Sequence, residues 1–341
     1  MQTQVLTINA EHPQPEIIRQ AADVLRRGGL VAFPTETVYG IGANALDPEA
    51  AQSIFNAKGR PAKNPLIVHL PNAEAVHQVA QTWPSDAAIL AEHFWPGPMT
   101  LVLPKKPHVP ATVTGGGQTV AVRVPAHPVA QALLQAVELP IAAPSANRST
   151  RLSPTEAQHV LRDLDGRIHL LLDGGPTTRG IESTVVDLSV AAPRILRPGM
   201  ISVDSIEKVL GKTVELGFKE RLIPEQPILS PGQMERHYSP YTPLEITTSN
   251  DIGRHLIEEM IRGGLRVGWV PLGNGEASAP SNKVIVMPLP MDPVLYSQRF
   301  YATLHTLDLL STARIFVTLP PDTPAWMAVR DRLFRASQQS S

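Results

Sequence analysis

The sequence of 341 residues contains no cysteine. That absence excludes disulfide staples, thiolate metal sites and a cysteine nucleophile, and leaves oxygen, nitrogen and backbone groups to carry any chemistry. No apolar run approaches the roughly 20 residues that a bilayer-spanning helix needs, which argues against membrane insertion. The opening residues MQTQVLTINAEHP hold no basic start followed by an apolar core, so no secretory signal and a cytoplasmic location are expected. An excess of charge of one sign is also missing, since 30 Lys plus Arg face 31 Asp plus Glu and leave a formal net charge of −1. Such a balance offers no overall attraction to nucleic acid or anionic lipid, and a polyanion must meet a local patch. Neither a His-x-x-x-His pair nor an EF-hand loop occurs, so no dedicated metal cage is expected. The run Gly115-Gly116-Gly117 lacks the Lys-Ser or Lys-Thr that completes a P-loop, which leaves close backbone approach as its possible use.

Proline is abundant: the 34 prolines are about twice the usual share of roughly 5%. The length predicts two domains. Apolar spacing predicts a helix over 15–27, stopped by Gly28-Gly29, then strands at 30–33, 66–70, 101–103, 120–124, 141–143, 168–172 and 184–188. Helical patterns at 128–137 and 154–164 fall between them, and together they predict an α/β catalytic domain over 1–212. Residues 213–243, with Pro224, Pro227, Pro231, Pro240 and Pro243, have the composition of an extended linker. Beyond them, LEIT, GLRVGWVP, KVIVMPL and RIFVTL alternate with helical patterns and predict a small Rossmann-like three-layer domain over 244–341, without a glycine-rich dinucleotide fingerprint.

Acidic residues are unevenly spread. The interval between Glu49 and Glu74 holds no carboxylate but contains Lys58, Arg60 and Lys63, and from His93 to Thr155 only Glu138 is acidic. If these stretches face one cleft, its potential is positive and suits a small polyanion such as a nucleotide. Lys58 and Arg60 flank Gly59, so a tight loop there could aim an ammonium and a guanidinium fork at one phosphate chain, with Asn64 and His69 adding neutral contacts. In FPTETVYG, Thr35 and Thr37 lie on opposite faces if the strand continues; an ordinary ST-turn is the alternative. Arg123 sits in the apolar AVRV run, where a buried guanidinium needs an anionic partner, either a substrate carboxylate or a protein acid. Ser145 and Asn147 stand two apart after the IAAP strand, placed to bond phosphate or ribose or simply to form a turn.

Together PTETVYG, KGRPAKNPLIVHL, AVRVP, APSAN with LSPT, GGPTTRGIESTVVD, ILRPG and RHYSP resemble, in this order, the YrdC-like threonylcarbamoyl-AMP synthases in their long, two-domain form. The resemblance implies a twisted mixed-sheet YrdC-like domain followed by the smaller Rossmann-like one. It also implies nucleotidyl transfer that makes threonylcarbamoyl-AMP and pyrophosphate from L-threonine, bicarbonate and ATP with Mg²⁺. The product would feed the machinery that transfers threonylcarbamoyl to tRNA, with direct tRNA binding by this chain left open. Carried over residue by residue, the family's tetrad falls on Lys58, Arg60, Ser145 and Asn147. The resemblance further implies Thr35, His69, Arg123, Ala143 and Ser183 around threonine. Arg60, Asn64, Thr119, Ser145, Ser153, Arg197 and Tyr238 would surround the nucleotide, with Tyr238 folding back from the linker as a lid. Ser149-Thr150 and Pro231-Gly232-Gln233 depart from the family's usual Ser-Gly and Pro-Gly-Met steps. The competing readings are a nonenzymatic RNA-binding or ribosome-maturation module and another carbamoyl-transferring enzyme of the hydrogenase-maturation type. The near-neutral charge counts against the first, and the absence of zinc-binding cysteines against the second.

Overall fold

The computed structural model describes residues 2–219, 238–273 and 281–338. The first compact unit runs to Phe218 apart from Thr150–Ser153 and Arg179–Ile181, which belong to the second unit together with the chain from Tyr238 onward. In chain order the first unit contains β1 (Gln4–Thr7), α1 (Pro15–Arg26), β2 (Val31–Phe33), β3 (Gly40–Asn44), α2 (Pro48–Lys58), β4 (Ile67–His69) and α3 (Ser85–Phe94). It continues through β5 (Met99–Pro104), α4 (Ala111–Thr114), β6 (Thr119–Arg123), α5 (Pro128–Val137), β7 (Ile141–Ala142) and α6 (Ala157–Leu164). It closes with β8 (Leu170–Asp173), β9 (Thr184–Asp187), β10 (Arg194–Arg197), α7 (Val203–Leu210) and β11 (Glu215–Leu216).

Its strands form one mixed sheet in the order β1-β8-β2-β3-β7-β4-β6-β5-β9-β10-β11. One cluster joins Ile18 and Leu25 of α1 and Leu133 and Leu134 of α5 to Val31, Phe33 and Leu172. A second cluster joins Ile54 of α2, Leu90 of α3 and Val160 of α6 to Ile41, Val68 and Leu101. Ala32 and Phe33 alternate out of the sheet into different clusters, so both faces are covered and the interior strands are largely apolar.

Helix α2 shows how the site is placed. Asp47 caps it by accepting from the backbone N–H groups of Glu49 and Ala50, and Pro48 supplies a preset first turn. Gly59 ends it in the left-handed region at φ 62°, a conformation that costs an L-residue about 1–2 kcal/mol. The stop falls between Lys58 and Arg60, and this turn directs both side chains inward.

The second unit adds β12 (Leu244–Thr247), α8 (Asn250–Arg262), β13 (Val267–Val270), β14 (Val284–Val286), α9 (Pro293–Leu309), β15 (Arg314–Thr318) and α10 (Met327–Ser337). Its sheet is parallel, in the order β12-β15-β13-β14. Val267 and Trp269 pack with Ile257 of α8, whereas a Cβ on the intervening Gly268 would meet Leu307 of α9 at 3.1 Å. Successive strand residues point to opposite faces, so α8 and α9 cover different sides of the sheet, as expected of a three-layer α/β domain.

Candidate active site

Lys58 is 1% exposed. Its Nζ donates to the backbone carbonyls of Ser145 and Asn147 and lies 3.3 Å from Asn147 Oδ1. Ser145 Oγ donates to the same Oδ1 at 2.6 Å, so the amide oxygen gathers a hydroxyl and an ammonium. Burial, and then the Arg60 charge, push the Lys58 ammonium well below its usual range, and Asp163 opposes them. The oxygen acceptors also favour the charged form. The sequence predicts a tight loop around Gly59 that could aim Lys58 at phosphate; in the structure Lys58 is the last residue of a helix and clamps the segment after β7.

Arg60 turns the other way. Its Nε donates to Asn64 O at 3.1 Å, and its Nη2 donates to Asn64 Oδ1 at 2.7 Å and Pro65 O at 2.8 Å. The glycine run supports this loop from behind, since a Cβ at Gly115, φ 59°, would stand 2.5 Å from Lys63 O. Close backbone approach is thus what Gly115 provides, toward the Lys63–Asn64 turn itself. Thr119 opens β6 opposite Pro104, partly buried.

β2 stops at Phe33, so the strand does not continue through Thr35. An ST-turn follows, in which Thr35 Oγ1 donates to Val38 O at 2.7 Å and receives the N–H groups of Thr37 and Val38. Because the chain turns here, the alternation across faces is lost, and the Thr35 and Thr37 hydroxyls meet at 2.8 Å. Arg123, 4% exposed, finds a protein acid: Nη2 lies 2.6 Å from Glu36 Oε1, while Nη1 donates to Thr37 Oγ1 and Nε to Gly97 O. Glu36, Thr100 and Asp163 were not singled out as site residues from sequence. The signal for Glu36 was present, because it is the acid of TET and Arg123 demanded one.

His69 ends β4 beside Arg123, its register partner on β6. Burial, reinforced by the Arg123 charge, holds it down to about 3, and its Nδ1 lies 3.3 Å from Ile67 O. The ring is therefore neutral, and with Nδ1 donating to that carbonyl, Nε2 carries the lone pair. Ala143 follows β7, and its N–H bonds Ile67 O at 2.8 Å. Ser183 and Arg197, expected around different substrates, bond each other: Arg197 donates from Nη2 to Ser183 Oγ at 3.0 Å and from Nε to Ser183 O at 3.1 Å. Thr100 Oγ1 shares that serine hydroxyl at 2.8 Å.

Ser153 and Tyr238 lie in the second unit. His305 Nε2 is 3.2 Å from Ser153 O, and Tyr238, left-handed at φ 62°, is buried against Tyr301 with Arg332 over its ring. Of the linker expected over 213–243, residues 220–237 lie outside the described residues.

Cations from the end of α2, amide and hydroxyl groups after β7, and a guanidinium–carboxylate pair beside a neutral imidazole suit two anionic reactants. Comparison with known proteins agrees. Residues 23–199 match a family described as "Telomere recombination", and residues 201–338 one described as "Threonylcarbamoyl-AMP synthase, C-terminal domain". The chain is 42% identical to the threonylcarbamoyl-AMP synthase of Pyrococcus abyssi over 327 residues, 94% of each protein. It is 43% identical to the Bacillus subtilis protein of that name, covering 94% of this chain and 92% of the relative. The crystal structure of P. abyssi Sua5 complexed with L-threonine aligns at a TM-score of 0.89 and 40% identity, with 98% of each chain covered.

Proposed function

This chain belongs to the threonylcarbamoyl-AMP synthase family, and we propose that it makes threonylcarbamoyl-AMP by nucleotidyl transfer from ATP to the carbamate of L-threonine. Bicarbonate supplies the carbon. As CO₂ it is attacked by the uncharged threonine amine, a C–N bond forms, and loss of a proton leaves the carbamate. A carbamate oxygen then attacks the α-phosphorus, and the new P–O bond forms as the bond to the β-phosphate oxygen breaks and pyrophosphate departs. Two anions must approach, so fixed cationic and N–H groups that offset their repulsion are the main requirement.

The observation that carries this reading is the convergence of Lys58 on Ser145 and Asn147, with Arg60 one turn away on the Asn64 loop. Lys58 and Arg60 act on the phosphates, and Ser145 and Asn147 orient the nucleotide, with Asn64, Thr119 and Arg197 as further contacts. Arg123 takes the α-carboxylate of threonine. His69, neutral and with a bare Nε2, accepts an N–H or O–H of the substrate, and Thr35, Ala143 and Ser183 complete that pocket. ATP enters as its magnesium complex, and the ion offsets charge on the triphosphate. Ammonium, guanidinium, amide and hydroxyl groups suit phosphate oxygens rather than the ion, and among the described residues no cluster of His, Asp and Glu forms a metal cage. The nucleotide's own oxygens therefore hold it. The mixed anhydride is labile and passes to the machinery that transfers threonylcarbamoyl to tRNA.

The test supplies ATP, Mg²⁺, L-threonine and carbon-labelled bicarbonate. A labelled adenylate and an equal amount of pyrophosphate are expected, and omission of any one reactant should stop both. Pyrophosphate release that ignores threonine, or RNA binding without turnover, would overturn the reading in favour of a hydrolase or a binding module.

A further inference from the structure

An arginine side chain offers five N–H groups in a planar fork and accepts nothing. The chain occupies three of those on Arg123: Nε donates to Gly97 O at 3.2 Å, Nη1 to Thr37 Oγ1 at 3.0 Å and Nη2 to Glu36 Oε1 at 2.6 Å. Among the described residues, one N–H on each terminal nitrogen is left over. Glu36, 6% exposed, divides its carboxylate: Oε1 meets Arg123, and Oε2 accepts the backbone N–H of Ala126 at 3.0 Å, just before α5.

The polarity of this cluster is determined. Thr35 has one hydroxyl proton, and it goes to Val38 O at 2.7 Å. The 2.8 Å contact between the two threonine hydroxyls is therefore donated by Thr37, which in turn accepts from Arg123. Donation runs from Arg123 to Thr37 to Thr35 to Val38 O, with no member able to reverse. A carbonyl, a hydroxyl of fixed sense and a carboxylate thus hold the guanidinium plane on three sides.

We propose that Glu36 is a positioning residue for amino-acid selection, which presents the two remaining N–H groups of Arg123 side by side to the α-carboxylate of the substrate. A bidentate match of this kind depends on the orientation of the fork more than on its charge. Glu36 also compensates the buried guanidinium before substrate arrives, which keeps the empty pocket from needing a stray anion. The inference rests on the placement of Arg123 in the threonine pocket.

Glu36→Gln keeps the shape of the side chain but has one acceptor oxygen for two donors, Arg123 Nη2 and Ala126 N–H. It should raise KM for threonine at least tenfold while KM for ATP and kcat at saturating threonine stay within about threefold. L-Threoninamide, which lacks the carboxylate, serves as a competitive probe. Its inhibition constant should hardly change, so the preference for threonine over the amide should collapse in the variant. Thr37→Val, which removes only the hydroxyl on Nη1, should show the same pattern more weakly, and it carries the test if Glu36→Gln does not fold. Arg123→Lys separates the two readings. If Arg123→Lys raises KM for threonine but neither Glu36→Gln nor Thr37→Val does, the positioning role is wrong and the pocket stands. If Arg123→Lys leaves KM for threonine unchanged, the pocket assignment itself falls. A parallel loss of kcat and of both affinities in Glu36→Gln and Thr37→Val would mark a purely structural role.

Discussion

Lys58 bonds Asn147 twice, at the backbone carbonyl and at Oδ1, 3.3 Å away. One ammonium thereby fixes both the path of the chain after β7 and the rotamer of the amide that Ser145 Oγ also meets at 2.6 Å. Truncating the lysine strands buried carbonyl oxygens, and an unpaired buried polar group costs roughly 1–3 kcal/mol. Lys58→Ala is therefore expected to reduce adenylate formation by at least about a hundredfold, the effect of losing one preorganised charge or donor, and to lower the melting temperature as well. Lys58→Met, which fills the space without the charge, should recover part of the stability and none of the activity. Activity recovered along with stability would show that Lys58 is only a packing element.

Gly115 should not tolerate a side chain. A Cβ there would lie 2.5 Å from Lys63 O and 2.9 Å from its carbonyl carbon, and the backbone is left-handed at φ 59°. Gly115→Ala has to displace the Lys63–Asn64 turn and with it the Asn64 acceptors of Arg60. The expected outcome is a rise in KM for ATP of about tenfold, equivalent to about 1.4 kcal/mol, with KM for threonine little changed. Gly116, whose added Cβ meets nothing within 4 Å, is the control: Gly116→Ala should leave KM for ATP near wild type.

Thr150 carries backbone strain. It is β-branched yet lies at φ 70°, a region that favours glycine. Thr150→Gly relieves about 1–2 kcal/mol of steric strain and loses roughly 0.5–1 kcal/mol to the greater freedom of an unfolded glycine. A net gain of about 0.5–1 kcal/mol in denaturant unfolding is expected. A lower midpoint would show that the threonine side chain makes a contribution its backbone angle conceals.

Three buried histidines predict acid sensitivity. Burial holds His69 down to about 3 and His159 down to about 4, and it lowers His127 as well. The folded protein keeps these rings neutral, whereas the unfolded chain protonates them below about pH 6.5. Their stabilisation is thus complete above that pH and is lost as the pH falls toward the folded values. At pH 5 a fully buried ring such as His69 contributes about 2 kcal/mol of this loss. Urea midpoints at pH 7.5 and pH 5 check the sign, and His159→Gln should flatten the acid limb. Equal slopes in variant and wild type would remove His159 from the account.

Local signals carried much of the architecture. The tight turn at Gly59 was legible in Lys-Gly-Arg, though the helix before it was not, because a left-handed cap is a property of one residue. The strands of the second unit stood out in LEIT, GLRVGWVP, KVIVMPL and RIFVTL because apolar runs between helical patterns depend on neighbours only. Even the partner of Arg123 was half visible, as a demand for an anion.

What local pattern could not supply was which groups meet. The turn after Phe33 decided between the two readings of Thr35 and Thr37 in favour of the ST-turn, because where a strand ends is set by the sheet partners it finds and not by propensity alone. Lys58 was expected in a tight loop; its ammonium reaches the segment around Ser145 and Asn147, far along the chain, because β3, β7 and β4 are neighbours in the sheet. Sequence by itself determined the chemical groups, the elements that carry them and the family they resemble, since capping, periodicity and motif order are properties of the chain. Tertiary structure decided that Arg123 answers to Glu36, that Ser183 and Arg197 share one hydroxyl, and that the Thr35 hydroxyl is already committed to its own turn. These pairings depend on distances of a few ångströms between residues separated by long stretches of chain, and strand order across a sheet sets them.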